Sequence, residues 1–462
     1  MSWIDPVVEL VVVFMTQLMP SDTFDFRGEL KQLLYGGWPD DLDFRRRKAM
    51  RTMTATVGNT GISIDSLARL DRHLLARYIE PEKIAGCLTL ISRRGEIAHL
   101  SAMGSMDRER GKPMATDTIF RFYSMTKPIT SVALMQLHER GMFQLTDPVS
   151  RFIPQWRDLQ VMSDPGGPVT DTCAPVRPMS MRDVLSHQSG LTYGFMEVAG
   201  AGLERAYNEA EVYSAGTMRG RDLQSMIDRL AELPLKFSPG DNWNYSVSTD
   251  VCGYLVQTIS GQRFDEYLDE HIFEPLGMVD TGFDVPAEKI ERFAANYERG
   301  PDRRLRLLDD PATSHYAEPQ TFFSGGGGLV STAHDYHRFC QMLLNGGELD
   351  GARLLGPKTI ELMTMNHLPD GQDLSERALG SFSETANDGV GFGLGFAMIV
   401  DLPRTQNVGS IGEYYWGGAA STIFWIDPAE EMIVIFLTQF MPSGTFNFRG
   451  QIKQILYPGL VD

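Results

Sequence analysis

The sequence predicts an α/β fold of the α+β kind, an antiparallel sheet flanked by helices with a mostly helical region inserted in its middle. Three observations carry this. Apolar, β-branched runs of strand length cluster towards the two ends of the 462-residue chain. Between about residues 145 and 323 apolar residues recur at helical spacing, interrupted by Pro/Gly-rich loops. Strands at both ends with helices between them imply one sheet built from both ends, because each element must bury its apolar face against another layer.

The elements follow in chain order. Residues 7–19, "VVELVVVFMTQLM", look like the core of a signal peptide, but Glu9 interrupts them and neither a preceding basic residue nor a small-residue cleavage site accompanies them. They are also too short to span a bilayer. A repeat explains them better. "WIDPVVELVVVFMTQLMPSDTFDFRGELKQLLY" (3–35) recurs as "WIDPAEEMIVIFLTQFMPSGTFNFRGQIKQILY" (425–457), with about 21 identities in 33 aligned positions. Each copy reads as a strand, a Pro/Ser turn and an amphipathic helix, so the first is a duplicated structural piece, and a cytoplasmic location is expected. Residues 45–64 are polar and weakly patterned, a linker in which "RRRK" (45–48) follows Asp41 and Asp43. "IDSLARLDRHLLARYIE" (64–80) has helical periodicity with Asp65 as N-cap. "IAGCLTLISRRGEIAHLSAMG" (84–104) reads as two strands joined by a tight turn at Arg93-Arg94-Gly95. Strand signals return at 391–401, 420–427 and 432–439. The expected division is a segment 1–48, holding the first copy and the linker, and a body 49–462. Within the body, sheet regions lie at about 64–144 and 324–462 and a helical region at 145–323.

Composition narrows the function. With 42% hydrophobic residues the chain can bury a large core, and its formal charge of −18 argues against nucleic acid or an anionic membrane as partner. Cys87, Cys173, Cys252 and Cys340 are scattered without C-x-x-C spacing, which suits free thiols in a reducing compartment.

The chemistry centres on "FRFYSMTKPIT" (120–130), where strand-like sequence gives way to a helix-periodic run. Ser124 then stands at a helix start, with Lys127 one turn on along the same face. The orphan N–H groups and positive dipole end there favour an anion forming on a substrate held by Ser124. A lysine buried beside a serine can lose its proton near neutral pH and act as general base. An N-cap serine followed by a surface lysine is the plain alternative. Further on, Tyr245 in "FSPGDNWNYS" precedes a second helical run, and Gly417-Gly418 in "EYYWGGAASTIFWID" precedes a strand, where glycine lets backbone approach a substrate. Taken singly, Tyr245 reads as a core tyrosine and the glycine pair as a turn.

Together and in order, S-M-T-K, Y-S-V and W-G-G resemble the three signatures of the serine β-lactamase and penicillin-binding-protein superfamily. The likeness is closest to its esterase branch, the family VIII carboxylesterases, which are class C β-lactamase-like. It extends over about 64–458 and includes "VLSHQSGLTYG" (184–194) and "GGGGLVSTAHDYHRF" (325–339). The resemblance implies a β-lactamase-like fold with Ser124 as nucleophile, Lys127 as its base and Tyr245 as the phenol relaying protons to the leaving group. It also implies a substrate edge at Trp416, Gly417 and Gly418 and an oxyanion hole from the N–H groups of Ser124 and Ala419. No cofactor or metal is implied, and the expected partner is a small-molecule ester. Exchange of the duplicated segment between neighbouring molecules would give a homo-oligomer.

Two departures bear on substrate. Val247 replaces the asparagine of the lactamase-type Y-x-N, and Trp416 replaces the lysine of K-T-G. Losing that charge-assisted contact would weaken binding of an anionic lactam by ~1.5–3 kcal/mol. An indole there is expected to wall the substrate with an apolar surface. The reading is therefore a two-step carboxylesterase, with an acyltransferase, a D-amino-acid peptidase or amidase, or a weak β-lactamase as alternatives on the same scaffold. Rival chemistries lack support. No G-x-S-x-G occurs. His187 reads as a loop histidine rather than a triad base, and His334, His337 and Cys340 at i, i+3, i+6 do not share one helix face. "SGGGGL" (324–329) reads as a tight turn before a helix capped by Ser331 or Thr332.

Overall fold

The computed structural model describes residues 2–5, 10–13, 57–196, 202–213, 220–379 and 388–461. The chain divides into two units, Met1–Thr54 and Ala55–Asp462. In the first, β1 (Ser2–Asp5) and β2 (Leu10–Val13) form an antiparallel hairpin in which Trp3 faces Val12 and Asp5 faces Leu10. The helix expected in this copy lies outside the described residues, as does the linker expectation up to residue 56.

The second unit opens with α1 (Ile64–Leu74), whose Leu67, Leu70 and Leu74 are buried at the predicted spacing. Its N-cap is Ser63, and Asp65 sits inside the first turn, where a carboxylate favours the positive helix end. Then come β3 (Gly86–Arg93), β4 (Glu96–Asp107) and the short β5 (Lys112–Pro113). β3 and β4 are joined at Arg94 and Gly95, both at positive φ as a two-residue hairpin turn of type I′ requires. Two largely buried helices follow, α2 (Thr126–Glu139) and α3 (Ser248–Ser260). α2 is buried continuously from Thr126 to Leu137, so every side of it packs against other parts of the protein. α4 (Ala333–Leu344) is capped by Thr332, which accepts from the Asp335 N–H.

The C-terminal part supplies β6 (Val390–Phe392), β7 (Ala397–Ile399), β8 (Tyr414–Gly418), β9 (Thr422–Asp427), β10 (Met432–Thr438) and the closing α5 (Phe448–Leu456). The run expected as one strand at 391–401 is thus two strands. Gly395, at φ 99°, turns the chain between them where a side chain would collide with Ser131 of α2. The eight strands pair in the order β6-β7-β8-β9-β10-β3-β4-β5, and β10 joins the two halves by lying antiparallel to β3, with Val434 opposite Ile91. One antiparallel sheet is therefore built from both ends of this unit, with helical segments intervening in sequence.

Candidate active site

The site begins where strand becomes helix. Phe120–Arg121 pairs with Val330–Ser331, and a single 3₁₀ turn, Tyr123–Met125, leads into α2. Tyr123 is held at φ 45°, a left-handed conformation costly for a bulky residue, so the turn that carries Ser124 is strained. Lys127 follows one turn later, only 2% exposed. Its Nζ lies 3.3 Å from Ser124 Oγ, 3.2 Å from the Tyr193 hydroxyl and 2.7 Å from the Gly326 carbonyl. Tyr245, brought in from just before α3, donates its phenolic O–H to Ser124 Oγ at 2.6 Å. The lysine nitrogen also stands 4.4 Å from the Tyr245 ring centroid. Ser124, Lys127 and Tyr245, 121 residues apart at the extremes, meet in one buried cluster.

Behind this cluster is a layer that sequence reading missed. Asp250 on α3 is fully buried and accepts from the Ser324 hydroxyl and, at 3.0 Å, from the Gly326 N–H. Tyr193 donates to its other oxygen at 3.5 Å. Burial pushes the Asp250 carboxyl up, and the Lys127 charge pulls against it. Gly326 thus engages both groups, its N–H with Asp250 and its carbonyl with Lys127. The available signals were the tyrosine of "GLTYG", the aspartate of "YSVSTD" and the glycine run. The last reads as a turn, and its backbone chemistry is silent in sequence.

β8 closes one side. A Cβ on Gly418 would fall 2.3 Å from the Phe122 carbonyl, so only glycine lets this strand approach the turn that carries the serine. Ala419, the expected oxyanion donor, follows directly, its carbonyl accepting from Ser443 N–H at 2.9 Å. Trp416 corrects an expectation. Its side chain is completely buried, with ring centroids 5.6 Å from Tyr245 and 5.4 Å from Phe392, so the indole backs the phenol and does not wall the substrate. Strand alternation sends it into the aromatic core beside Tyr245, together with Trp243 and Phe392.

The rival readings separate in space. Both His187 ring nitrogens face hydroxyls, Ser246 at 3.2 Å and Thr249 at 3.5 Å, and burial holds the imidazole well below its usual pKa, hence neutral. His337 meets Ser92 at 2.7 Å, Cys340 is buried, and His334 is largely exposed, so the three do not converge. Among the described residues no group of three or more His, Cys, Asp or Glu is placed to hold a metal ion, and no helix is long and apolar enough to cross a membrane. All four cysteines are free.

Residues 72–454 match the Beta-lactamase family. The chain is 32% identical to esterase EstB of Burkholderia gladioli over 408 residues, covering 84% of this chain and 95% of that one. It is 27% identical to the lovastatin esterase of Penicillium rubens over 406 residues, 81% and 94% of the two chains. Among solved structures, EstCE1, described as a hydrolase with promiscuous acyltransferase activity, superposes with a TM-score of 0.72 at 26% identity, over 85% of this chain and 99% of its own. With the serine–lysine–tyrosine cluster standing on a sheet of this topology, the chain belongs to the β-lactamase family, in the branch that holds the family VIII esterases.

Proposed function

We propose that the protein hydrolyses small carboxylic esters through an acyl-enzyme on Ser124. The observation that carries this is the convergence of hydroxyl, amine and phenol within hydrogen-bond reach, in a chain related to named esterases. The contacts of Lys127 also orient it. With the amine neutral, two N–H bonds serve the Gly326 carbonyl and the Tyr193 hydroxyl, and the lone pair faces Ser124. Because Ser124 Oγ accepts from Tyr245, its own proton is directed at Lys127.

Lys127 takes that proton as Oγ attacks the ester carbonyl. The N–H groups of Ser124 and Ala419 receive the negative charge on the carbonyl oxygen. As the carbon–alkoxide bond breaks, the proton passes from Lys127 through Tyr245 to the leaving alcohol. Water then gives a proton back along the same route, attacks the acyl group and releases the acid, and Ser124 recovers its hydrogen. An alcohol in place of water would make the same cycle an acyl transfer, the promiscuous activity described for EstCE1; added alcohol then diverts product from acid to new ester.

The test is covalent. A fluorophosphonate should add to one residue, found at Ser124 by peptide mass spectrometry. Ser124→Ala should lower p-nitrophenyl butyrate hydrolysis by roughly 10³-fold or more with unchanged thermal unfolding. Label on another serine, or an active alanine variant, removes the assignment.

A further inference from the structure

We propose that Phe195 forms the apolar subsite that selects the ester, by receiving the flat or hydrocarbon substituent of the substrate on its outward ring face. This rests on the esterase reading above and names the substrate class for that site. Phe195 is 62% exposed, whereas large aromatic side chains are normally mostly buried. The chain leading into it is anchored. The residues leading to it, Leu191, Thr192, Tyr193 and Gly194, are buried. The Asn208 side chain donates to the Gly194 carbonyl at 3.0 Å, and a Cβ on Gly194 would collide with that same side chain. The turn therefore holds Phe195 in place while leaving one side of it open.

Its inner face is engaged. The ring stacks on Tyr193 with centroids 4.6 Å apart and planes 24° from parallel. Tyr193 in turn touches the reacting cluster, with its hydroxyl 3.2 Å from Lys127 Nζ and its ring 5.4 Å from that of Tyr245. Phe195 is thus one stacked ring removed from the groups that would move the proton. On this proposal a substituent of one or two carbons on the scissile ester is too short to meet it. A longer alkyl or a phenyl group extending in its direction covers it, taking apolar surface out of water on both partners. The chemistry selected is an ester with an extended apolar or aromatic group, on either its acyl or its alcohol side.

Two substrate series separate those sources. One keeps ethanol as the alcohol and lengthens the acid, from ethyl acetate to ethyl hexanoate and ethyl 3-phenylpropanoate. The other keeps acetate and lengthens the alcohol, to hexyl and 2-phenylethyl acetate. Acid release is followed by pH-stat for the full chain and for Phe195→Ala. The readout is the ratio of kcat/KM for the long ester over ethyl acetate. A general structural defect lowers both members and leaves that ratio alone. The ratio should fall about tenfold in at least one series, chiefly through KM, and Phe195→Trp should restore it. A fall in the acid series assigns the acyl group to Phe195, and a fall in the alcohol series assigns the leaving group. Should the alanine variant unfold, Phe195→Gln gives the same reading. Ratios unchanged in both series overturn the subsite while leaving the esterase intact. Absence of Ser124-dependent hydrolysis for every ester would overturn the esterase reading instead.

Discussion

Of the hydrogen-bond partners described for Lys127, Ser124 is near it in sequence. The others come from 66 and 199 residues away. A base placed this way needs a nitrogen that can shed a proton, which gives a sharp substitution test. Lys127→Arg should cost nearly as much as Lys127→Ala, roughly 10²–10⁴-fold in kcat/KM for p-nitrophenyl esters, because a guanidinium stays protonated and cannot accept the serine proton. In the wild type, activity should fall on the acid side as the lysine takes up a proton. An arginine variant with near-normal turnover would end the general-base role. The S-x-x-K pair was legible because helical spacing alone puts i and i+3 on one face. Tyr193, Asp250 and the Gly326 carbonyl were not, since what makes them matter is tertiary convergence and a backbone group that no residue type announces.

Elements were legible where one face meets one layer. The alternating and continuous apolar runs gave β3, β9 and β10, and the helical period gave α1 and α4. The run at 391–401 misled because its glycine, read as part of a strand, is the turn that lets the hairpin pass α2. Trp416 misled for a related reason, since its burial is decided by Tyr245 and Phe392 arriving from elsewhere. One side chain binding a helix to the sheet makes a pH prediction. His337 of α4 meets Ser92 of β3, and burial, then the charges of His334 and Arg338, push its imidazole down to about 4 from 6.5. Between those values the unfolded chain holds the proton and the folded one does not. The contribution of His337 is therefore present above pH 6.5 and is lost as pH falls through about 4, amounting to about 3 kcal/mol. Thermal unfolding of wild type and His337→Gln between pH 4 and 7 should give a shallower pH slope for the variant. Identical slopes would show that this histidine carries no such linkage.

At the scale of the whole molecule the question is why the chain carries one strand–turn–helix segment twice. The hairpin of the first copy has the register of the second: Trp3 faces Val12 as Trp425 faces Val434, and Asp5 faces Leu10 as Asp427 faces Met432. Its sequence also keeps the residues by which the second copy grips its own unit. Thr438 donates to the Gly86 carbonyl, Gln439 bonds both backbone groups of Arg121, Arg449 donates to the Trp416 carbonyl, and Lys453 and Tyr457 meet Glu413. The aligned residues of the first copy are Thr16, Gln17, Arg27, Lys31 and Tyr35. Each of those groups is already engaged by the second copy, whose strands lie between β8 and β3 in the middle of the sheet. The second copy also continues directly from the strand beside Ser124. The sheet of the second unit is thus paired through by its own strands, and no residue assigned to the chemistry lies among residues 1–49. A chain starting at Met50 should express in folded form and retain Ser124-dependent esterase activity within about twofold, with unfolding midpoint and sedimentation compared against the full chain. If that chain is insoluble, or folded but inactive while the full chain works, the first copy contributes to the working core. A change confined to sedimentation would instead assign it to association between molecules, where a segment that duplicates a core hairpin could exchange with its counterpart in a second copy.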